Sequence, residues 1–330
     1  MSAIRGFEPF AGQHCETNTT GNLLKAAGLE LSEPMLYGVG EGLAFGVFAF
    51  KGMAAPFLGG RPRPEEITQA LARNLGFALE YRQTRSRRRA WDNVSEFLDA
   101  GRLVGVKLNM RLLDYDRSGV DFAAHYVAAY GYDDERVFVV DTVGQGGPQA
   151  TRRESFEAAR RWRGPMASDA LTWTIGATPP EVDWPRVLPA AIGANAAAYL
   201  NPPIANFGAR GIRKAAKLLP GWVTYAAADL AQLGFVMEHG GTGGGLFRPM
   251  YANFLREAAV LLADDRLLPI AERFDAAGSM WTQVSAVLES CPDAGAASLQ
   301  AASRLLTEVA DIEEDAIRRL ARLWERPAVG

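Results

Sequence analysis

An α+β domain followed by an all-helical domain is the architecture this sequence of 330 residues predicts. Three observations carry the prediction. Helical and strand-like segments alternate through the first half of the chain. Two strand-like runs, 125–132 and 136–141, are joined by the short polar turn Asp133-Asp134-Glu135 and read as an antiparallel hairpin late in a sheet. Strand signals nearly vanish after residue 176, whereas helical patterns recur to the end. The expected division is therefore residues 1–177 and 178–330, and length alone favours two domains.

Residues 16–27 read as a helix, with Leu23, Leu24 and Ala27 apolar and Gly28 as the stop. Ser32-Glu33-Pro34 starts the next helix, with proline in its first turn. A turn containing Gly38, Gly40 and Gly42 leads to a strand at 43–50. Pro64-Glu65-Glu66 opens a helix that runs through Leu75, and 77–81 is a short strand. Residues 90–100 suit a helix with Trp91, Val94, Phe97 and Leu98 on one face. Residues 103–108 form a buried strand, and the hairpin completes the sheet. Helices follow at 184–200, 207–219, 222–238, 247–263, 265–289 and 296–325. Their breaks fall at Pro202-Pro203, Pro220-Gly221, the glycine-rich 240–245 and Cys291-Pro292-Asp293. No fixed-period repeat or low-complexity tract stands out.

A formal net charge of −3 gives no electrostatic push toward nucleic acid or an anionic membrane. The two cysteines, Cys15 and Cys291, make no disulfide framework. With no secretory pattern at the start, a reducing, cytoplasmic setting is expected. No apolar stretch reaches the roughly 18 residues that span a bilayer; residues 253–263 are too short and carry charges. Three histidines and two cysteines, without Cys-x-x-Cys or His-x-x-x-His spacing, predict no metal site.

The chemistry concentrates in Gly12-Gln13-His14-Cys15-Glu16-Thr17-Asn18. Cys15 opens a helix, where the positive end of the helix dipole stabilises a thiolate and makes it a usable nucleophile. Its polar neighbours argue against a small buried hydrophobe. His125 heads one strand of the hairpin and Asp141 ends the other, so base and carboxylate can be neighbours across the ladder. A lone histidine in an apolar strand is usually a satisfied core residue; Cys15 upstream and Asp141 downstream favour a general base. A carboxylate that ends an apolar run needs a partner when buried, and an imidazole N–H is a fitting one. Asp133 and Asp134 lie in the turn and read as solvated. Cys15, His125 and Asp141 are thus the expected catalytic set, in the chain order of papain-like cysteine enzymes.

Gln13, with the backbone N–H of Cys15, is the candidate oxyanion donor. Papain-like enzymes place that glutamine six residues before the cysteine, where this chain has Pro9. His14 points away from its neighbour and is left with substrate contact. Cys291, in a Pro-Asp loop with no histidine near, reads as structural.

The segment from Gly240 to Gly245, followed by Phe247 and Arg248, opens a helix and offers an anion site. It lacks a Gly-Lys-Ser/Thr ending and no strand precedes it, which excludes a nucleotide P-loop. Two readings stay open. One is a flexible connector. The other is a lid lining the Cys15 cleft, in which Gly241, Thr242, Gly243, Gly244 and Arg248 hold an anionic or carbonyl part of the substrate. The clusters Arg85, Arg87, Arg88, Arg89 and Arg160, Arg161, Arg163 read as solvated helix faces, with a docking patch for an acidic partner as the alternative.

Residues 12–24, Gly-Gln-His-Cys-Glu-Thr-Asn-Thr-Thr-Gly-Asn-Leu-Leu, and 31–40, Leu-Ser-Glu-Pro-Met-Leu-Tyr-Gly-Val-Gly, resemble the N-terminal domain of the butirosin biosynthesis protein H family. Residues 241–251, Gly-Thr-Gly-Gly-Gly-Leu-Phe-Arg-Pro-Met-Tyr, are similar to the domain of unknown function that commonly follows it. The resemblance implies a papain-like fold of the bacteriocin-processing peptidase type. It also implies an acyltransferase of specialised metabolism, such as antibiotic biosynthesis. The enzyme would take an acyl group from an acyl-carrier-protein thioester to an amine of a small molecule. The donor would carry phosphopantetheine, the chain itself no cofactor, and the family's cysteine, histidine and aspartate would fall on Cys15, His125 and Asp141. The alternatives are a cysteine peptidase or amidohydrolase with the same triad, and an inactive binding protein of the same fold.

Overall fold

A computed structural model describes residues 2–4, 6–50, 52–53, 55–178, 181–290 and 295–324. Cys291 lies outside the described residues. In chain order the elements are β1 (Ser2–Ala3), α1 (Cys15–Ala26), α2 (Glu33–Val39), β2 (Gly46–Phe48), β3 (Phe57–Gly59), α3 (Glu66–Leu75), β4 (Leu79–Arg82), α4 (Arg87–Asp99), β5 (Val104–Leu108), β6 (His125–Tyr132), β7 (Arg136–Val140), β8 (Pro148–Arg152), α5 (Arg153–Arg161) and β9 (Thr172–Ile175). Then come α6 (Trp184–Leu200), α7 (Gly208–Leu218), α8 (Ala227–His239), α9 (Arg248–Leu262), α10 (Leu268–Glu289) and α11 (Ala296–Arg322). The chain is mixed α and β with antiparallel sheets and a C-terminal helical region.

Two compact units emerge, Met1–Leu36 with Ile67–Glu181 and Tyr37–Glu66 with Val182–Gly330. Residues 37–66, assigned to the first domain from sequence, group with the helices instead. The reason is burial. Phe45, Val47 and Leu58 share a core with Ile212, Leu219, Trp281 and Leu306. The strand expected at 43–50 is accordingly β2, which pairs with β3 in a separate two-stranded sheet.

In the first unit, six strands run in the order β4-β9-β5-β6-β7-β8, with β1 added to β6, and every pairing is antiparallel. β5 is buried along its whole length. Its apolar residues Val106 and Leu108 pack with Val127 of β6, Val137 and Val139 of β7, Val94 and Phe97 of α4, and Phe156 of α5. α1 packs against β6. β8 and β9 were not foreseen. β8 reads Pro-Gln-Ala-Thr-Arg and shows no apolar alternation, so its state comes from pairing with β7 (Val137↔Thr151, Val139↔Gln149). β9 is four residues long and owes its strand state to its place between β4 and β5.

The second unit adds six helices to the β2–β3 pair, with α10 packing on α8, α9 and α11. Gly245 takes φ of +50°, and a Cβ there would sit 2.8 Å from the backbone of Gly278 in α10, so only glycine admits this close approach.

The arginine cluster in α5 is not a uniformly solvated face. Arg160 is buried and donates to the carbonyls of Ala90 (2.8 Å) and Ala170 (3.1 Å) and to the Thr172 hydroxyl. Burial lowers its pKa to about 9. Arg85 and Arg163, by contrast, are exposed and pair with Asp169.

Candidate active site

α1 is polar in sequence and buried in fact. Glu16, Thr17, Asn18, Thr19, Thr20 and Asn22 have no accessible surface. Burying such groups requires partners, and most of the helix has them. The Glu16 carboxylate accepts the Thr68 N–H (3.0 Å) and hydroxyl (3.1 Å). Asn22 accepts the Phe10 N–H (2.9 Å) and donates to the Asn18 carbonyl (2.8 Å). Asn18 accepts the Gly12 N–H (2.9 Å). The polar composition around Cys15, which sequence reasoning took to disfavour burial, instead builds a buried scaffold for the loop before it.

His14 occupies the N-cap of α1 with extended backbone and no side-chain cap bond. Glu33 of α2 takes over that task from a distance in sequence. Its carboxylate accepts the N–H groups of Gln13 (2.8 Å) and His14 (2.8 Å) and the Thr17 hydroxyl (2.8 Å). Burial pushes the Glu33 carboxyl up in pKa, and these three donors oppose the shift. Sequence reasoning saw Glu33 only as a helix start. Cys15 follows as the first residue of α1, 8% exposed.

His125 is the first residue of β6 and pairs with Leu108. Ala128 pairs with Val140. One further step along that ladder sets Asp141 opposite Val127, diagonal to His125 and within reach of a histidine side chain. The His125 Nε2 lies 2.8 Å from Asp141 Oδ1 and 3.0 Å from Oδ2. The Thr142 N–H also donates to Oδ1 (2.7 Å), and the Tyr115 hydroxyl donates to Oδ2 (2.7 Å). Cys15 acts on the same imidazole and favours its protonated form. With Nε2 engaged by Asp141, Nδ1 is the ring nitrogen left for sulfur. Tyr115 carried no signal in the sequence; it comes from an irregular stretch and only the tertiary fold brings it to Asp141. Burial, with the Asp141 charge beside it, pushes the Tyr115 hydroxyl well above its ordinary pKa.

Burial alone would depress the His125 pKa. The charge and hydrogen bond of Asp141, aided by Cys15, reverse this and raise it from 6.5 to about 10. The folded ring therefore favours its protonated form at neutral pH. A pKa raised on folding stabilises the protein fully below pH 6.5, and that contribution is lost as pH climbs toward 10. The unfolding midpoint is expected to fall across this window. Melts at several pH values should show a shallower decline in His125→Gln.

Gln13 is exposed, its backbone N–H goes to Glu33, and its side-chain amide makes no hydrogen bond among the described residues. The glycine-rich segment belongs to the helical unit. Gly241, Gly243 and Gly244 all have positive φ. The Thr242 hydroxyl donates to the carbonyls of Met237 (2.9 Å) and Glu238 (3.0 Å), and the Gly245 N–H donates to the Glu238 carboxylate (3.0 Å). Arg248 is fully buried. It donates to Glu313 through Nε (2.8 Å) and Nη2 (2.9 Å), and to the Leu246 carbonyl through Nη1 (2.7 Å). Glu313 also accepts from Trp281 Nε1 (2.8 Å) and the Tyr199 hydroxyl. These commitments make Arg248 a core ion-pair partner rather than an exposed anchor for an anion. Arg248→Ala strands the buried Glu313 charge, and denaturant melts should show a loss of about 3–5 kcal/mol.

Among the described residues no three His, Cys, Asp or Glu side chains converge to hold a metal. No helix of the described residues is long and apolar enough to cross a membrane.

A family model described as butirosin biosynthesis protein H, N-terminal, matches residues 14–142, a span that contains Cys15, Tyr115, His125 and Asp141. A second, described as a domain of unknown function (DUF4872), matches residues 154–320. No curated protein matches the chain.

Proposed function

Because the chain belongs to the butirosin biosynthesis protein H family, with the DUF4872 domain following the N-terminal one, we propose that it is a cysteine-dependent acyltransferase of specialised metabolism. The observation that carries this reading is the His125 ring, held by Asp141 at 2.8 Å through Nε2, with Cys15 favouring its protonated form. A thiolate, a charged imidazole and an orienting carboxylate are the parts of a papain-like triad.

The Cys15 thiolate attacks the carbonyl carbon of an acyl group borne as a thioester on the phosphopantetheine of an acyl carrier protein. A new carbon–sulfur bond forms and the pantetheine carbon–sulfur bond breaks. The leaving thiolate takes the proton of the His125 imidazolium. The amine of a small-molecule acceptor then attacks the Cys15 thioester, and the now neutral His125 accepts its proton. Amide formation releases the Cys15 thiolate and restores the starting pair. Asp141, braced by Tyr115 and the Thr142 N–H, keeps the ring oriented and its charge balanced. The backbone N–H of Cys15, in the first turn of α1, receives the developing oxyanion. Cytoplasmic residence, expected from the cysteine usage, suits a carrier-protein donor.

Incubation with an acyl-carrier-protein thioester, followed by peptide mass spectrometry, tests the proposal. The expected result is an acyl adduct on the Cys15 peptide that disappears when an amine acceptor is added. An adduct lost equally fast to water would favour a hydrolase. No adduct under any donor would leave a binding protein.

A further inference from the structure

One buried amide links the two halves of this site. Asn18 lies three residues after Cys15 in α1, one turn on and on the same side of the helix. Helical side chains lean toward the N-terminus, so the Asn18 amide reaches back over the approach to Cys15. Its Oδ1 accepts the Gly12 N–H at 2.9 Å. The carbonyl of that same Gly12 accepts the Val143 N–H at 2.9 Å. Between Val143 and Asp141 lies Thr142, whose N–H donates to Asp141 Oδ1 at 2.7 Å. The helix that carries the thiol is thereby tied to the carboxylate that orients the imidazole. A Cβ on Gly12 would lie 2.9 Å from Glu33 Oε1 and 3.1 Å from the Asn18 Cβ, so the joint leaves no room for a side chain.

Asn18 sits here at a cost. It is fully buried, and its Nδ2 has no partner among the described residues. An unsatisfied buried donor is destabilising, and the position bears that cost while supplying the acceptor that Gly12 needs. The amide is not free to flip, because the Gly12 N–H requires an acceptor.

We propose that Asn18 is a positioning residue that sets the Cys15 thiol against the His125–Asp141 pair through Gly12 and Val143. The proposal rests on the triad reading given above. The hydrogen bonds of Asn18 go to Gly12, His14 and Asn22; its effect passes through the placement of Cys15.

The test is the rate and pH profile of Cys15 alkylation by iodoacetamide in the full chain, read by peptide mass spectrometry beside a thermal melt. Asn18→Ala is expected to fold but to alkylate about tenfold more slowly at pH 6, with a profile moved toward that of an ordinary thiol near pH 8.5. Asn18→Asp keeps the acceptor and should recover to within about threefold of the parent rate. Val143→Pro deletes the N–H that reaches Gly12. Val143 is the first residue of a 3-10 turn and is 56% exposed, so the ring itself meets solvent, but the ring carbon that replaces the N–H also pushes the Gly12 carbonyl away. That variant should reproduce the slow, shifted profile. A parent-like profile in either Asn18→Ala or Val143→Pro overturns the proposal. So does loss of the cooperative melt in both, since the link would then be structural only. His125→Ala separates this failure from that of the triad. If it too leaves Cys15 alkylation unchanged, the triad reading fails, and not merely the role of Asn18.

Discussion

Cys15→Ala is expected to abolish the proposed acyl transfer, by about 10⁴-fold or more, with no acyl adduct on the protein. His125→Ala is expected to approach the same limit. Cys15→Ala should leave the fold in place, whereas His125→Ala should fold with reduced stability, because the buried Asp141 carboxylate keeps only the Thr142 N–H and the Tyr115 hydroxyl. The loop before Cys15 is held by Glu33 and Asn18, and α1 by Thr68 and β6, none of which uses the sulfur. Activity assays beside thermal melts separate lost chemistry from lost structure. Transfer in Cys15→Ala at even about a hundredth of the parent rate would mean another nucleophile.

Asp141→Asn is expected to lower kcat/KM by ~10²–10⁴-fold. The carboxylate faces three groups that act as donors here: His125 Nε2, the Thr142 N–H and the Tyr115 hydroxyl. An amide offers one acceptor oxygen and turns two N–H bonds toward this set, so at least one donor is displaced and the ring loses its tautomer and its aim. The charge that outweighs burial disappears as well. His125 should then titrate below its ordinary 6.5 rather than near 10. NMR titration of the histidine ring protons checks this independently of activity. A His125 that still titrates far above neutrality in Asp141→Asn would mean that another group holds its proton.

The site was legible where chemistry is local. A polar motif that opens a helix, a histidine at a strand head and an aspartate just past its hairpin partner are all visible one residue at a time, and the antiparallel ladder makes the last two neighbours. Tyr115, Glu33 and Asn18 were not legible as parts of it. Tyr115 and Glu33 meet the site across 26 residues to Asp141 and 19 to His14, and neither sits in a pattern that periodicity detects. The role of Arg248 was hidden for the same reason: a guanidinium after a glycine-rich turn resembles an anion site until its partner, 65 residues away, is known.

By itself the sequence determined the alternation of helix and strand in the first unit and the helical run from residue 184 onward. It also determined the start of α1 at Cys15 and the hairpin that joins β6 to β7. These follow from side-chain periodicity and from turn and cap residues, which act within a few positions of the chain. Tertiary structure alone decided that residues 37–66 join the helices, that β8 and β9 are strands, and that a helix as polar as α1 is buried. Each of those outcomes depends on which distant group supplies the missing hydrogen bond or apolar contact. No local pattern encodes that choice, because the free energy of burying a polar group is set by its partner.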